Sequence, residues 1–214
     1  MQEEGVIKFD LRFSEHAPVA LEYFTELNRW RSLLWEQALI GQDPIRYGGY
    51  GYGNVSQRLP HSPERDGQRA FLISGSQTGH LPELLAKHYA VVTAYDPVLN
   101  YIKARGPIRP SSESLTHAMV YDQSDDIRVV LHVHSPDIWL AADRLQLPVT
   151  DASVAYGTPA MADEVRRLFR ETGVAGQRIF SMGGHADGIV AFGKTADEAG
   201  SILIRTLSDC RDNC

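Results

Sequence analysis

Two histidines, His132 and His134, stand one residue apart in a segment that the sequence predicts to be a strand. Because side chains alternate between the two faces of a strand, both imidazoles lie on the same face. Valine and leucine around them indicate a buried strand, where polar groups need partners. A single transition-metal ion would serve both rings. For this motif alone, a pair of hydrogen-bonded core histidines is the alternative.

Four further segments contain residue types that bind anions or metals. Ser111–Glu113 stands where a loop becomes a helix, and the free N–H groups at a helix start bind phosphate or carboxylate. Gly53–Ser56 and Ser74–Gly79 combine glycine, hydroxyl and amide groups, which suit a close approach to an anion. His185 lies in a glycine-rich loop and offers a third imidazole. Taken singly, Ser111–Glu113, Gly53–Ser56 and His185 are more typical of an ordinary cap, turn and loop than of a ligand site, and Ser74–Gly79 is also a common kind of turn.

The composition is that of one globular domain. The chain has 214 residues, of which 43% are hydrophobic and 22% are charged. A formal charge of −6 argues against a general nucleic-acid binder. No apolar run approaches the roughly 18–20 residues that span a bilayer, and the N-terminus has no signal-peptide pattern. Cys210 and Cys214 fall outside any predicted core, so we expect a cytoplasmic protein without disulfides.

Predicted helices and strands mix without strict alternation, which favours a mainly antiparallel sheet with helices on its faces. Apolar residues at helical spacing predict a helix from Pro18 to Ile40, with Ser14 as N-cap and Gly41 as its stop. A short helix is predicted at 81–89 and a turn at 61–68. The other predicted helices are 112–121, 137–145, 158–171 and 195–207, and the predicted strands are 55–59, 70–73, 91–95, 128–134, 179–182 and 188–192.

In their order along the chain, these segments resemble the class II aldolase/adducin family, whose founding activity is L-fuculose-phosphate aldolase. The matching segments, which fall between about residues 20 and 208, are Gly53–Ser56, Leu72–Gly79, Ser111–Glu113, His132–His134, Tyr156–Thr158 and His185. The resemblance implies an α/β fold with three α/β/α layers around a central, mainly antiparallel sheet. It implies a single domain over 1–214, with a short N-terminal extension at about 1–15 and a polar C-terminal tail at about 209–214. It also implies a homotetramer whose active sites lie at subunit interfaces.

The resemblance further implies a role for individual residues. It implies that Zn²⁺, or another divalent transition metal, is held by His132, His134 and His185, and that Glu113 is the catalytic acid/base. The residues implied to hold the substrate phosphate are Gly53, Asn54, Gly75, Thr78, Gly79, Ser111 and Ser112, with Gly75 and Ser76 competing with Thr78 and Gly79. No tyrosine in the chain matches the one that a neighbouring subunit contributes in the fuculose enzyme.

The resemblance implies a zinc-dependent lyase of carbohydrate metabolism. The first expectation is retro-aldol cleavage of a small phosphorylated ketose through a metal-stabilised enediolate. Dehydration of a methylthioribulose 1-phosphate, decarboxylation and a non-catalytic scaffold role like that of the adducin head remain as alternatives. The presence of three histidines and the glutamate favours an enzyme over a scaffold. The expected partner is a small sugar or sugar phosphate, with no nucleic acid and no membrane.

Overall fold

A computed structural model describes residues 5–59 and 70–211. Its strands are β1 (Asp10–Glu15), β2 (Gly41–Gln42), β3 (Gly51–Tyr52), β4 (Asn54–Arg58), β5 (Phe71–Ser74), β6 (Tyr89–Asp96), β7 (Tyr101–Gly106), β8 (Val129–His134), β9 (Ile179–Ser181) and β10 (Gly188–Gly193). Its helices are α1 (Thr25–Glu36), α2 (Ser114–Tyr121), α3 (Pro136–Leu140), α4 (Pro159–Glu171), α5 (Val174–Gln177) and α6 (Ala196–Arg211). Short 3₁₀ turns occupy Leu21–Tyr23, Tyr47–Gly49 and Ala86–His88.

In the part of the chain that the structure describes, eight strands form one sheet in the order β1-β7-β6-β5-β4-β8-β10-β9. All neighbours are antiparallel except β1 and β7, which are parallel. The pairing of β4 with β8 places Asn54 opposite His132, and the pairing of β10 with β8 places Gly188 opposite His134. The sheet is therefore mainly antiparallel, as the sequence predicts.

Helices cover both faces of this sheet. On one face, side chains of α1, α3 and α6 share a core with Val129, Leu131 and Val133 of β8. On the other face, side chains of α2 and α4 share a core with Val130. Because strand side chains alternate, His132 and His134 lie on the face that α2 and α4 cover. The predicted three-layer α/β/α arrangement is confirmed.

Helix α4 begins where the sequence predicts. The Thr158 side chain accepts a hydrogen bond from the Met161 amide, and Pro159 occupies the first helical position, where its missing N–H costs nothing. Met161, Val165 and Leu168 then recur at three- and four-residue spacing and are buried on the sheet side. The cap and the apolar stripe together explain why this boundary could be read from the sequence.

The first predicted helix is too long at both ends. Ser14 pairs with Arg105 inside β1 and is not an N-cap, and α1 begins only at Thr25. At the other end α1 stops at Glu36, and Gly41 belongs to β2. Of the predicted apolar stripe, Leu27, Trp30 and Leu34 are buried, whereas Leu21 lies outside α1 and is exposed. The chain before α1 instead contributes an edge strand within the predicted N-terminal extension.

The helix predicted at 81–89 is wrong. Only the 3₁₀ turn Ala86–His88 forms there, and Tyr89 opens β6. The carbonyls of Leu81 and Pro82 accept hydrogen bonds from the Arg31 guanidinium instead of helical N–H groups. Pro82 also has no N–H to donate. A contact from a distant helix therefore overrides the local pattern. Strand β7 has no counterpart among the predicted elements.

Helix α6 runs further than predicted and takes up the start of the predicted polar tail. Cys210 is 2% exposed and packs with Leu203 and Leu207, because these three positions share one helical face. The expectation that Cys210 lies outside the core is wrong. Cys214 and the predicted turn at 61–68 lie outside the described residues. Over the described ranges, none of the helices combines the length and the apolar character required to cross a membrane.

Candidate metal centre and active site

Strand β8 and the loop before β10 bring three imidazoles together. His132, His134 and His185 are all buried, and their candidate ligand nitrogens lie within 4.8 Å of one another. The Nε2 atoms of His132 and His134 are 3.2 Å apart. Two nitrogens on one tetrahedral zinc ion lie about 3.3 Å apart when each Zn–N bond is about 2.0–2.1 Å. The spacing therefore fits a single ion shared by the three rings.

The loop that carries His185 is held by its own backbone. The His185 amide donates to the Met182 carbonyl at 3.1 Å, and the Gly188 amide donates to the His185 carbonyl at 2.9 Å. A Cβ atom at Gly188 would lie 2.6 Å from Cδ2 of His185, so only glycine fits there. The tight turn and Gly188 together orient the His185 imidazole toward β8.

The surroundings of His132 favour the neutral ring form that binds metals. Its Nδ1–H donates to the Ile189 carbonyl at 3.2 Å, which leaves Nε2 on the side of the other two imidazoles. Burial, followed by the proximity of His134 and His185, lowers the pKa of His132 well below its ordinary value. A neutral imidazole with one nitrogen fixed by a carbonyl is the usual state of a metal ligand.

Glu113 faces these imidazoles from the start of α2. Its side chain is buried, and Oε1 lies 3.4 Å from Nε2 of His185 and 3.8 Å from Nε2 of His132. Oε2 accepts a hydrogen bond from the Thr116 hydroxyl at 3.2 Å. The carboxylate is therefore close enough to complete a metal shell or to exchange a proton with a bound substrate.

One turn after Glu113, His117 ties α2 to the sheet. The ring is fully buried, and Nδ1 lies 2.7 Å from the Ser56 hydroxyl of β4. The same hydroxyl lies 2.7 Å from the Tyr121 hydroxyl. Burial lowers the pKa of His117 to about 3, so the ring is neutral at physiological pH. This polar network fixes α2, and with it Glu113, against β4.

An aromatic wall that the sequence does not predict borders His134. The Tyr47 ring meets the His134 ring edge-on at 4.6 Å between centroids. The Tyr47 hydroxyl donates to Asp187 at 2.7 Å, and Arg46 forms an ion pair with the same carboxylate. Tyr47 has a φ of 53°, which is uncommon for an aromatic residue. The corresponding signal in the sequence is the glycine- and tyrosine-rich run at 47–54.

A small polar cavity contains every residue predicted to bind phosphate. Its lining consists of glycine backbone and of uncharged hydroxyl and amide side chains, from residues Gly5, Gly51, Gly53, Asn54, Gly75, Ser76, Gln77, Thr78, Gly79, Ser111 and Ser112. The two competing pairs, Gly75–Ser76 and Thr78–Gly79, therefore line the same cavity. The Thr78 hydroxyl donates to the Gly75 carbonyl at 2.9 Å, so it closes the loop on itself.

This cavity adjoins the imidazole cluster. Asn54 lines it and pairs across the sheet with His132, while Ser112 lines it and precedes Glu113 in the chain. The Ser111 amide donates to the Ser74 carbonyl at 3.2 Å, which joins the start of α2 to the loop after β5. A substrate that fills the cavity with an anionic group would thus extend toward the three histidines.

Solved structures of class II aldolases share this fold. The L-fuculose-1-phosphate aldolase of Thermus thermophilus is 19% identical and superposes with a TM-score of 0.64 over 89% of this chain and 92% of that chain. The sugar-phosphate aldolase of Thermotoga maritima is 16% identical, with a TM-score of 0.66 over 89% of this chain and 93% of that chain. At these identities the likeness establishes the fold.

Curated relatives found by sequence have a different name. A methylthioribulose-1-phosphate dehydratase of Gluconacetobacter diazotrophicus is 41% identical over 83 residues, which are 39% of this chain and 34% of that protein. A methylthioribulose-1-phosphate dehydratase of Leptospira biflexa is 27% identical over 178 residues, with 71% of this chain and 80% of that protein covered. Similarity to the first relative is thus confined to about a third of its length.

A family model supplies the broadest match. The model described as Class II Aldolase and Adducin N-terminal domain matches residues 46–206, which include all three histidines, Glu113 and β4 to β10. This match covers well over half of the chain, and the fold agrees with it. The chain belongs to the class II aldolase and adducin N-terminal domain family.

Proposed function

We propose that this protein is a metal-dependent lyase that dehydrates a phosphorylated ketose of the methylthioribulose 1-phosphate type. The observation that carries the proposal is the single site in which three buried imidazoles, the Glu113 carboxylate and an uncharged anion cavity adjoin. The dehydratase names of the relatives found by sequence favour dehydration over the retro-aldol reaction that we expected first. Retro-aldol cleavage is the second candidate, because the same groups suit it.

Glu113 is the proposed base. In a dehydration, a C–H bond next to the ketose carbonyl breaks and its proton passes to the Glu113 carboxylate. The C–O bond on the following carbon then breaks, the leaving hydroxyl takes the proton back from Glu113 and departs as water, and the enol that remains tautomerises to a ketone. A divalent ion such as Zn²⁺, held by the three imidazoles, would supply a Lewis acid for the carbonyl oxygen. Glu113 is 1% exposed, so bulk water has little access to its carboxylate.

The anion cavity would hold the substrate phosphate. Backbone N–H groups and hydroxyls bind phosphate without a neighbouring cationic side chain when they converge in a nest or at a helix start. In the lining, the Gly79 amide and the hydroxyls of Ser111 and Ser112 are groups of this kind. The amides of Gly75 and Ser111 already donate to the carbonyls of His88 and Ser74, so these two residues would contribute through shape or through a side chain. The adjoining position of the imidazoles suits a substrate whose carbonyl lies a few bonds from its phosphate.

The test is product analysis on metal-analysed protein reloaded in turn with Zn²⁺, Mn²⁺, Co²⁺ or Fe²⁺. Methylthioribulose 1-phosphate and fuculose 1-phosphate are supplied separately and products are identified by mass spectrometry. Loss of one water from the first substrate supports dehydration, and two fragments from the second support retro-aldol cleavage. If every metal form leaves both substrates intact, the proposed function is rejected.

A Glu113→Gln variant tests the base. We expect it to keep its bound metal and to lose a factor of about 10² or more in turnover, since general acid–base catalysis contributes about 10²–10⁴-fold. Glu26→Gln is the matched control, because Glu26 is an exposed carboxylate that forms a surface ion pair with Arg29. Unchanged turnover in Glu113→Gln would remove Glu113 from the mechanism.

We also propose that the protein is a homotetramer with active sites at the subunit interfaces. Such an interface would cover exposed apolar side chains: Ile45, beside the aromatic wall, is 93% exposed, and the consecutive residues Val98 and Leu99 are 80% and 72% exposed. Light scattering should give four times the chain mass of 23.8 kDa. A monomeric mass in an active preparation would reject this assembly.

A further inference from the structure

Arg31 lies buried behind the loop that forms the anion cavity. It is a residue of α1, and it is only 1% exposed. Its guanidinium donates to the carbonyls of Thr78 at 3.0 Å, Gly79 at 3.2 Å and Pro82 at 2.9 Å, and also to that of Leu81. One side chain therefore shapes both the loop and the segment that follows it.

The charge of Arg31 has no carboxylate partner among the described residues. The groups around its guanidinium are carbonyl oxygens, the neutral Tyr89 phenol and the His88 imidazole, and none of them carries a negative charge. Burial lowers the pKa of Arg31 to about 10, so it remains protonated at neutral pH. Buried charges are usually paired with an opposite charge, because carbonyls offset only part of the desolvation cost. A counter-ion on the other side of the loop would supply the missing compensation.

The peptide groups between Arg31 and the cavity point their positive ends away from Arg31. The described chain has no cis peptide, and in a trans peptide the N–H points opposite to the C=O. Since the Thr78 carbonyl accepts from Arg31, the Gly79 N–H faces away from the guanidinium. A Cβ atom at Gly51, which also lines the cavity, would lie 3.1 Å from the Gly79 nitrogen. The Gly79 amide therefore lies at the cavity wall.

We propose that Arg31 is a positioning residue that holds this loop and supplies positive potential to the cavity for the phosphate group of the substrate. The inference rests on the proposed function, since it takes the cavity as the phosphate site. It explains how a cavity lined by uncharged groups would attract a dianion. The guanidinium acts through the peptide dipoles of the loop, and both contributions have the same sign on the cavity side.

The test measures binding of inorganic phosphate to the ¹⁵N-labelled, metal-loaded protein, with the Gly79 amide signal as a reporter of the cavity. Arg31→Gln keeps N–H donors for the carbonyls but removes the charge, whereas Arg31→Lys keeps the charge with fewer donors. We expect at least tenfold weaker phosphate binding in Arg31→Gln and at most threefold weaker binding in Arg31→Lys. Arg29→Gln, on the same helix with its side chain 50% exposed, is the matched control and should bind as the wild type does.

Kinetics give a second readout that a merely structural role would not reproduce. With the phosphorylated ketose, Arg31→Gln should raise KM at least tenfold and leave kcat within twofold, because the charge acts on the phosphate and not on the reacting carbons. With the same ketose lacking phosphate, Arg31→Gln and the wild type should behave alike. Equal loss on both substrates would mean that Arg31 serves only the fold, and the inference would be overturned.

The remaining outcomes separate this inference from the proposed function. If the wild-type Gly79 signal does not respond to phosphate, the cavity is not a phosphate site, and the phosphate-binding part of the proposed function is rejected. If it responds and Arg31→Gln binds phosphate equally well, only the role of Arg31 is rejected. If Arg31→Gln does not fold, the role of Arg31 is tested instead on the wild type, through the Nε–H signal of Arg31 during phosphate addition. It should shift at the same phosphate concentrations as Gly79, and an unmoved signal would overturn the inference.

Discussion

Acidification should weaken the fold through His117, a buried residue next to the candidate site. The ring is fully buried against Ser56, and its pKa is lowered to about 3. In the unfolded chain the pKa of a histidine is about 6.5. Between these two values the unfolded state binds a proton that the folded state does not. The free energy of unfolding therefore falls as the pH drops below about 6.5.

The size of this effect follows from the two pKa values. At pH 5, which is about 1.5 units below the unfolded pKa, protonation of His117 stabilises the unfolded state by about 1.36 kcal/mol per unit. The free energy of unfolding is therefore lower by about 2 kcal/mol. The full loss would be reached only near pH 3. For a chain of this length, about 2 kcal/mol corresponds to a fall of about 4–8 °C in Tm.

The variant that isolates the effect is His117→Asn, which keeps a hydrogen-bonding group for Ser56 but cannot take up the proton. Urea unfolding of chelator-treated protein at pH 7, 6 and 5 gives the free energy of unfolding for each chain. Between pH 7 and pH 5, the free energy of unfolding should fall by about 2 kcal/mol more in the wild type than in His117→Asn. The contribution of His132 is present in both chains and cancels. His80→Asn changes an exposed histidine and should follow the wild type. Parallel curves for the wild type and His117→Asn would refute the reasoning.

Three other substitutions probe the site. Thr116→Val removes the hydroxyl that donates to Glu113 and keeps the side-chain shape. The kcat should therefore fall about tenfold to hundredfold at unchanged metal content. An unaltered kcat would show that this hydrogen bond does not contribute to catalysis. His132→Ala should lose the bound metal in elemental analysis, and full occupancy would contradict the site. Asp187→Asn removes the ion pair with Arg46, which is partly exposed, so stability should change by less than about 1 kcal/mol. Its kcat/KM should nevertheless fall severalfold, because Tyr47 loses its charged acceptor beside His134, and wild-type kcat/KM would argue against a role for the aromatic wall.

The parts of the fold that could be predicted depend on local patterns. The period of two along β8 placed His132 and His134 on one face, and Thr158 with Pro159 marked the start of α4. The approach of His185 to these rings was not visible in the local sequence. It was expected from the order of motifs that the chain shares with its family.

The parts that could not be predicted depend on contacts between distant residues. The segment 81–89 has apolar residues that suit a helix, but Arg31, some fifty positions earlier, binds its carbonyls. Asp187 organises Tyr47 across 140 positions, so the aromatic wall had no local signature. Cys210 was misplaced for a simpler reason, because its polar neighbours hid the helical face that it shares with Leu207.

The pairing of Asn54 with His132 has a consequence for substrate choice. These two residues belong to the proposed phosphate and metal subsites, and they face each other across one rung of the β4–β8 ladder. A slip of one residue would turn either side chain to the opposite face, so a small shift cannot adjust the spacing between the subsites. The β4–β8 ladder thus keeps the distance between the two subsites constant. New substrates would arise by changes in the loops around it, while the number of bonds between phosphate and carbonyl stays the same.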